Sequence, residues 1–430
     1  MKRSSQKKTD RRLAIVGTGI AGMGCAHFLK DEYELTVFDK ADYIGGHSNT
    51  VMVDDGGEHI PIDTGFIVFN HVTYPNLKRL FEELDVPTQK TSMSFSVQHV
   101  PEDLVFCGSG LSGLFAQRRN VFNGNFIRLL LNIHRFNSEA PSILEDRRYE
   151  DYSLGRYVKE AGYHPDILKY YLVPMSSAVW STPEDLMSEF PAISLVRFFL
   201  NHGFLGLNTQ HQWYTVKGGS REYVKRLTAP ISDSFRLKTP ISGVEVVSEK
   251  KVRLHLKGGK AETFDKVILA THGDLSLRLL KKPSPLQKEL LSQFEYQKNT
   301  ATLHTDDSVM PRIKSAWSSW NYRMDGIEGR IRPHTIYWMN SLQEVSKKRN
   351  YYVSIGDPGK VDRRKIIKEI LYEHPLFHVG SLRAQRRLSE LNRDGPLYFC
   401  GSYFRYGFHE DALWSAKNLS ETLLGRKIWS

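Results

Sequence analysis

The chain has 430 residues, 40% hydrophobic and 25% charged, with a formal net charge of +11, enough to bury a large core in two or three domains. No apolar run approaches the roughly 20 residues that a membrane-spanning helix needs, so any membrane contact is expected to be peripheral, at the inner surface, and the sparse cysteines make the cytoplasm the expected compartment. Three cysteines without a CxxC or a His/Cys ligand spacing exclude a disulfide framework and a zinc site.

The first residues, MKRSSQKKTDRR, read as a disordered basic tail rather than a leader, because the apolar run behind them is short and no small-residue cleavage site follows. LAIVG then predicts a strand. Gly17-x-Gly19-x-x-Gly22 stands between it and a helical pattern, and a second strand, ELTVF, runs into Asp39, 22 residues after Gly17. A lone GxGxxG is weak evidence, but this order of strand, turn, helix, strand and acid is the context a dinucleotide site requires. Gly17 permits the tight turn, Gly19 lets the backbone approach a pyrophosphate, and Gly22 lets helix and strand pack closely. The helix N-terminus offers unpaired N–H groups to the phosphates, and Asp39 is placed to accept from ribose hydroxyls.

KADYIGGHSNTV adds Gly45-Gly46 followed by His47, and IPIDTGFIVFN adds a strand and a further glycine turn; a nicotinamide-binding domain needs neither. TYPNLKRLFEELDVP reads as a capped amphipathic helix stopped by Pro87. SFSVQ and ATLHTD read as strands, and 110–135 and 150–215 as mainly helical. In LSGLFAQRRNVFNGNFIRLLLNIHRF, apolar residues mix with Arg118, Arg119, Arg128 and Arg135. A basic helix lying on an anionic membrane has this pattern, and so has a helix packed on its own domain with its arginines in water; both readings stay open. The remaining basic residues are scattered and carry no nucleic-acid-binding motif, so no nucleic-acid partner is expected.

Further along, VKGGSREYVKRL places another glycine pair before a helix, ISGVEVVSEKKVRLHL predicts a hairpin, and FDKVILATHG a strand and turn. The aromatics of SAWSSWNYR, Trp320 among them, suit either a pocket wall or the core. No histidine spacing fits a metal, and neither a G-x-S-x-G elbow nor a Cys/His pair signals hydrolysis. Near the end, LYFCGSYFRYGFHEDALWSA breaks a strand at Gly401-Ser402 and leads through His409-Glu410-Asp411 into a last helix.

Taken together, these motifs resemble the flavin-containing amine oxidase and phytoene desaturase superfamily. DTGFIVFN, TYPN, MSFSV, LHTDDSVMP, SAWSSWNYR and GFHEDA are most similar to the FAD-binding proteins fused to, or encoded beside, cyclopropane fatty acid synthases. The resemblance implies an α/β fold: a Rossmann-like FAD domain of the glutathione-reductase type, built from 10–75, 215–285 and 390–430. An α+β substrate domain would come from 76–214 and 286–389. It further implies that the backbone at Val244 meets the adenine and that the last helix points its N-terminus, near Asp411 and Ala412, at the pyrimidine edge of the flavin. His409 would then polarise that edge or carry a proton, since an ordinary histidine changes charge near neutral pH.

The departures from amine oxidases matter. His47 stands where that family usually has arginine, Ser402 where an acidic residue usually binds the ribityl chain, and Asn299 where many members hold a lysine, with Lys298 adjacent. No cysteine lies between Cys107 and Cys400, so FAD is expected to be non-covalent. The resemblance implies a FAD-dependent oxidoreductase that dehydrogenates or otherwise oxidises an apolar substrate such as a (phospho)lipid acyl chain, in cyclopropane or methyl-branched fatty acid metabolism, beside a fatty-acyl methyltransferase partner. The alternatives are a flavin amine oxidase releasing hydrogen peroxide and a flavin-binding, non-catalytic partner of a lipid methyltransferase.

Overall fold

The first strand, Arg12–Val16, is buried on both faces after its first residue, as suits the centre of a parallel sheet. It pairs in parallel with Glu34–Phe38 on one side and Lys266–Leu269 on the other; Phe235–Arg236 and Leu397–Phe399 complete the edges. Five strands from three distant parts of the chain therefore form one parallel sheet, and the fold is α/β. The computed structural model describes residues 11–429 apart from 109, 182, 207 and 208, so the first ten residues of the basic tail lie outside the described residues.

Helix Ile20–Leu29 is buried along almost its whole length, between the sheet and the last helix, His409–Leu424. Its approach to the sheet depends on Gly22, where a Cβ would lie 1.9 Å from the carbonyl oxygen of Gly17. Gly17 itself has φ +107, a conformation that L side chains rarely adopt. The hairpin read from ISGVEVV is present as Ile241–Ser248 against Lys251–Leu256, with Ala261–Phe264 as a third antiparallel strand.

A second, seven-stranded sheet runs in the order Ile366–Leu376, Glu295–His304, Tyr352–Ile355, Arg330–Trp338, Trp320–Ile327, Phe95–His99, Leu104–Cys107. All its pairings are antiparallel except that of Trp320–Ile327 with Phe95–His99. The strands expected from SFSVQ and ATLHTD are both in it. The chain that follows its N-terminal pair, up to Asn201, is mainly helical, with Gly124–Glu139, Leu154–Glu160, Val173–Trp180 and Ala192–Asn201.

Helix Pro75–Glu83 buries Leu77, Leu80 and Phe81, the i, i+3, i+4 stripe of an amphipathic helix. Its cap comes from far away: the Glu410 carboxylate accepts the backbone N–H groups of Asn76 and Leu77. No described helix is long and apolar enough to cross a membrane.

Candidate functional site

A cavity of about 750 Å³ opens beyond the carboxyl ends of the parallel strands, where Val16, Phe38 and Ala270 reach its wall. Gly17, Gly19, Gly45 and Gly46 line one end of it. A Cβ on Gly19 would meet nothing within 4 Å, so the backbone there stands open to a ligand. Gly46, at φ +60, brings its loop against this turn, with its Cβ position 3.2 Å from the Cα of Gly19. Asp39 lines the same end and is held by its neighbours: Thr18 donates to Oδ2 through its N–H at 2.8 Å and its hydroxyl at 2.6 Å, and the Ala41 N–H donates to Oδ1 at 2.9 Å. Oδ1, with a single donor, keeps a further lone pair for a ribose hydroxyl.

His47, half-buried, lines the cavity with its Nε2 buried and lacking a protein partner. It stacks on Tyr372 at 4.9 Å and lies 5.4 Å from the ring of His374. Burial, with the other histidines nearby, holds its pKa well below the ordinary value, so the ring is neutral. Gly401 and Ser402 also line the cavity. The Gly401 N–H donates to Ser415 Oγ at 2.9 Å, and the Ser402 carbonyl closes a turn by accepting from the N–H groups of Arg405 and Gly407.

The HED run divides its work. His409 lines the cavity, stacks face to face on Phe66 at 3.9 Å, and places Nε2 2.7 Å from the Tyr223 hydroxyl and 3.2 Å from Ser48 Oγ. Burial lowers its pKa to about 3. With its pKa held there the ring is neutral around pH 7, which suits the polarising role expected of this histidine better than the proton-carrying one. Asp411 lies behind the cavity wall and caps its own helix by accepting the Phe408 N–H at 2.9 Å, while burial pushes its pKa up to about 7. Ala412 reaches the cavity. Glu410 turns away from the cavity to cap the helix of Asn76.

Two expected positions are corrected. Val244 does not reach the cavity: its side chain is buried in a separate apolar cluster and its carbonyl accepts the Lys281 N–H at 3.0 Å. The hairpin buries this residue opposite Leu254, and Pro240 and Ile241 form the wall instead. Asn299 likewise stands outside the lining, because strand alternation sends it and the cavity-lining Lys298 to opposite faces. Asn299 instead donates to Nδ1 of His374 at 2.9 Å and to the carbonyl of Ser181 at 3.1 Å, holding two groups that do line the cavity. Trp320, for which wall and core were both open, is in the wall, edge-on to Tyr337 at 5.4 Å. Tyr223, Ser48, Phe66, Tyr372 and His374 are additions to the sequence reading. Of these, only Tyr372 and His374 carried a local signal, the two-residue spacing that puts both on one face of a strand.

The DTG turn and the second glycine pair are joined by a buried carboxylate. Asp63 accepts from the N–H and hydroxyl of Ser220, from Thr50 Oγ1 at 2.6 Å and from Gln343 Nε2 at 2.7 Å. With its lone pairs so used, it acts as a structural tie between the loops.

The cavity thus has a phosphate-accepting glycine end with an oriented carboxylate, and two helix N-termini at its wall, those of Ile20 and His409. That arrangement fits FAD. No cysteine lines the cavity, so no thioether link is offered to the flavin.

The family model described as flavin containing amine oxidoreductase matches residues 20–305. The 15-cis-phytoene desaturase of Synechococcus elongatus is 36% identical over 76 residues, which span 17% of this chain and 15% of the relative's length. Among solved structures, putrescine oxidase bound to putrescine shares the fold with a TM-score of 0.69 at 14% identity, covering 97% of this chain and 99% of that one. The CLA-producing fatty acid isomerase from P. acnes does so with a TM-score of 0.68 at 13% identity, over 97% and 99%. Cyclohexylamine oxidase from Brevibacterium oxydans gives a TM-score of 0.67 at 14% identity, over 96% and 100%. With the family match covering well over half the chain, and a cavity built for FAD, the chain is a flavin-dependent oxidoreductase belonging to the flavin containing amine oxidoreductase family.

Proposed function

We propose that the enzyme oxidises an apolar substrate, and that an acyl chain of a fatty acid or phospholipid is the substrate class its cavity suits, with dehydrogenation as the reaction. The observation that carries this reading is the wall away from the glycine loops, which includes Phe66, Met93, Trp180, Phe198, Trp320 and Tyr337. Among the described lining residues the carboxylates are Asp39, held at the nucleotide end by Thr18 and Ala41, and Glu373, which lies 3.5 Å from His272. A substrate ammonium group therefore has no carboxylate waiting for it in the apolar part, whereas a hydrocarbon chain finds aromatic and aliphatic contacts.

The chemistry supplied by bound FAD is acceptance of a hydride from a substrate C–H bond. The chain's own residues do the rest. Gly17, Gly19, Asp39, Gly45 and Gly46 would hold the nucleotide part, and the N-terminus of helix His409–Leu424 presents partial positive charge where negative charge needs stabilising. His409, kept neutral around pH 7 and held between Phe66 and Tyr223, adds a dipole to that edge. Trp320 and Tyr337 exclude water and restrict the substrate.

A second reading, amine oxidation, is favoured by the same aromatic wall, since an amine is also held well between aromatic faces. An anaerobic titration separates them. The purified holoenzyme is mixed with phospholipids bearing unsaturated or methylated chains, and separately with a panel of amines, while the flavin absorbance is followed. Bleaching by lipid alone supports the acyl-chain reading, and bleaching by amines alone replaces it with amine oxidation. No bleaching by either turns attention to a non-catalytic role beside a methyltransferase.

A further inference from the structure

Segment 110–138 contains four arginines, Arg118, Arg119, Arg128 and Arg135, and no aspartate or glutamate. Its apolar residues face two ways. Phe126, Leu129 and Phe136 of helix Gly124–Glu139 are buried, whereas Phe122 is 92% exposed, Leu111 75% and Leu131 64%. Ile127 is exposed too and sits four residues before Leu131, on the same side of the helix. A single exposed leucine needs no explanation, but a fully presented phenylalanine within such a group does.

Two of the arginines are available to an outside anion: Arg119 pairs with Asp103 and Arg128 with Asp166, but both side chains remain about half exposed, and surface pairs of this kind hold weakly. Arg135 is held more fully, by Glu139 and the carbonyls of Ala161 and Gly162, and adds its positive charge to the patch from a fixed position. Arg128, Leu131, Arg135 and His164 line a shallow groove of about 530 Å³, so cationic and apolar groups stand side by side in it.

We propose that this face, Val121–Phe122 with the outer side of helix Gly124–Glu139, docks on an anionic phospholipid bilayer. Phe122 and Leu131 enter the acyl boundary and the arginines meet the lipid phosphates. Charge selects this occupant over a second copy of the chain, because a two-fold contact through the segment would bring the same cationic segments together. The inner side of the helix joins the docking face to the cavity wall: Phe126 and Leu129 belong to a buried cluster against which Trp320, a cavity residue, also packs. The docking rests on this surface and stands whether or not the substrate is an acyl chain.

The test uses the full, FAD-loaded chain and flotation with vesicles of phosphatidylglycerol mixed with phosphatidylcholine, or of phosphatidylcholine alone. The expected result is binding to the anionic vesicles, reduced by salt and weakened about tenfold or more when Phe122→Asp and Leu131→Asp are combined. Val246→Asp, at an exposed apolar position on strand Ile241–Ser248, leaves it unchanged. No binding to anionic vesicles, or binding indifferent to the double substitution, overturns the proposal. So does a concentration-dependent dimer that the double substitution abolishes, which would assign the face to a second copy.

Discussion

Glu410 accepts the backbone N–H of Asn76 at 3.1 Å across 334 residues of sequence, and its other oxygen accepts the N–H of Leu77 at 2.9 Å. The first turn of helix Pro75–Glu83 is therefore capped by the first turn of the last helix. Glu410→Ala leaves these buried donors without partners and should destabilise the protein by about 1–3 kcal/mol. Glu410→Gln keeps an acceptor oxygen and should lose less. Denaturant titration of both variants checks the order; equal losses would mean that the charge, not the acceptor, matters.

Asp411, one residue on, points to a pH effect of opposite kind to that of most aspartates. Burial raises its pKa to about 7, so between pH 4 and pH 7 the folded chain keeps a proton that the unfolded chain releases. Its contribution to stability is complete below pH 4 and is lost as pH rises to 7. Asp411→Asn retains an acceptor for the Phe408 N–H and does not titrate. Its stability relative to the parent chain should rise by about 1.4 kcal/mol per pH unit between pH 5 and pH 7 and then level off. Paired denaturation curves at pH 5, 6, 7 and 8 measure this, and a flat difference would place Asp411 among ordinary carboxylates.

How much of this was legible in the sequence depends on distance along the chain. Gly17, Gly19, Gly22 and Asp39 act within one strand–helix–strand unit, where local spacing carries the geometry. Val244 and Asn299 were displaced because their positions depend on which face of a strand turns inward: Val244 sits in a local hairpin whose packing on a separate apolar cluster decides its face, and Asn299 sits in the seven-stranded sheet, where its partner Tyr372 is remote in sequence and not written in its neighbourhood. The environment of His409 is made by Ser48, Phe66 and Tyr223, from two other segments, and nothing near residue 409 announces them.

Buried neutral histidines give the chain an acid limit. His202, His304, His334 and His374 have pKa values lowered by burial to about 4, His409 to about 3, and His47 well below its ordinary value. The stability held in them is complete above pH 6.5 and drains as pH falls towards 4, each adding about 1.4 kcal/mol per pH unit to the loss. Unfolding at pH 5.5 should therefore take up several protons, measurable by denaturation in buffers of different ionisation enthalpy. His409→Gln should reduce that uptake yet leave the shape of the rate–pH profile of flavin reduction unchanged between pH 6 and pH 8. Loss of an inflection near pH 6.5 in this variant would restore the proton-carrier role.

Gly19 and Gly22 share a motif but fail differently when altered. A Cβ at Gly22 would sit 1.9 Å from the Gly17 carbonyl oxygen, a backbone atom that can yield only if the helix leaves the sheet. Gly22→Ala should therefore lower stability as well as FAD content. At Gly19 a Cβ meets no protein atom within 4 Å, and the residue already has φ −63, so the protein itself tolerates a methyl group. What that methyl group would occupy is the space at the glycine end of the cavity, against the approach of the phosphates. Gly19→Ala should leave apoprotein stability within about 0.5 kcal/mol of the parent while weakening FAD retention, measured as flavin absorbance after gel filtration beside denaturation of the apoprotein. If Gly19→Ala keeps its full complement of FAD, the phosphates do not lie at this turn, and the assignment of this end of the cavity to the nucleotide fails with it.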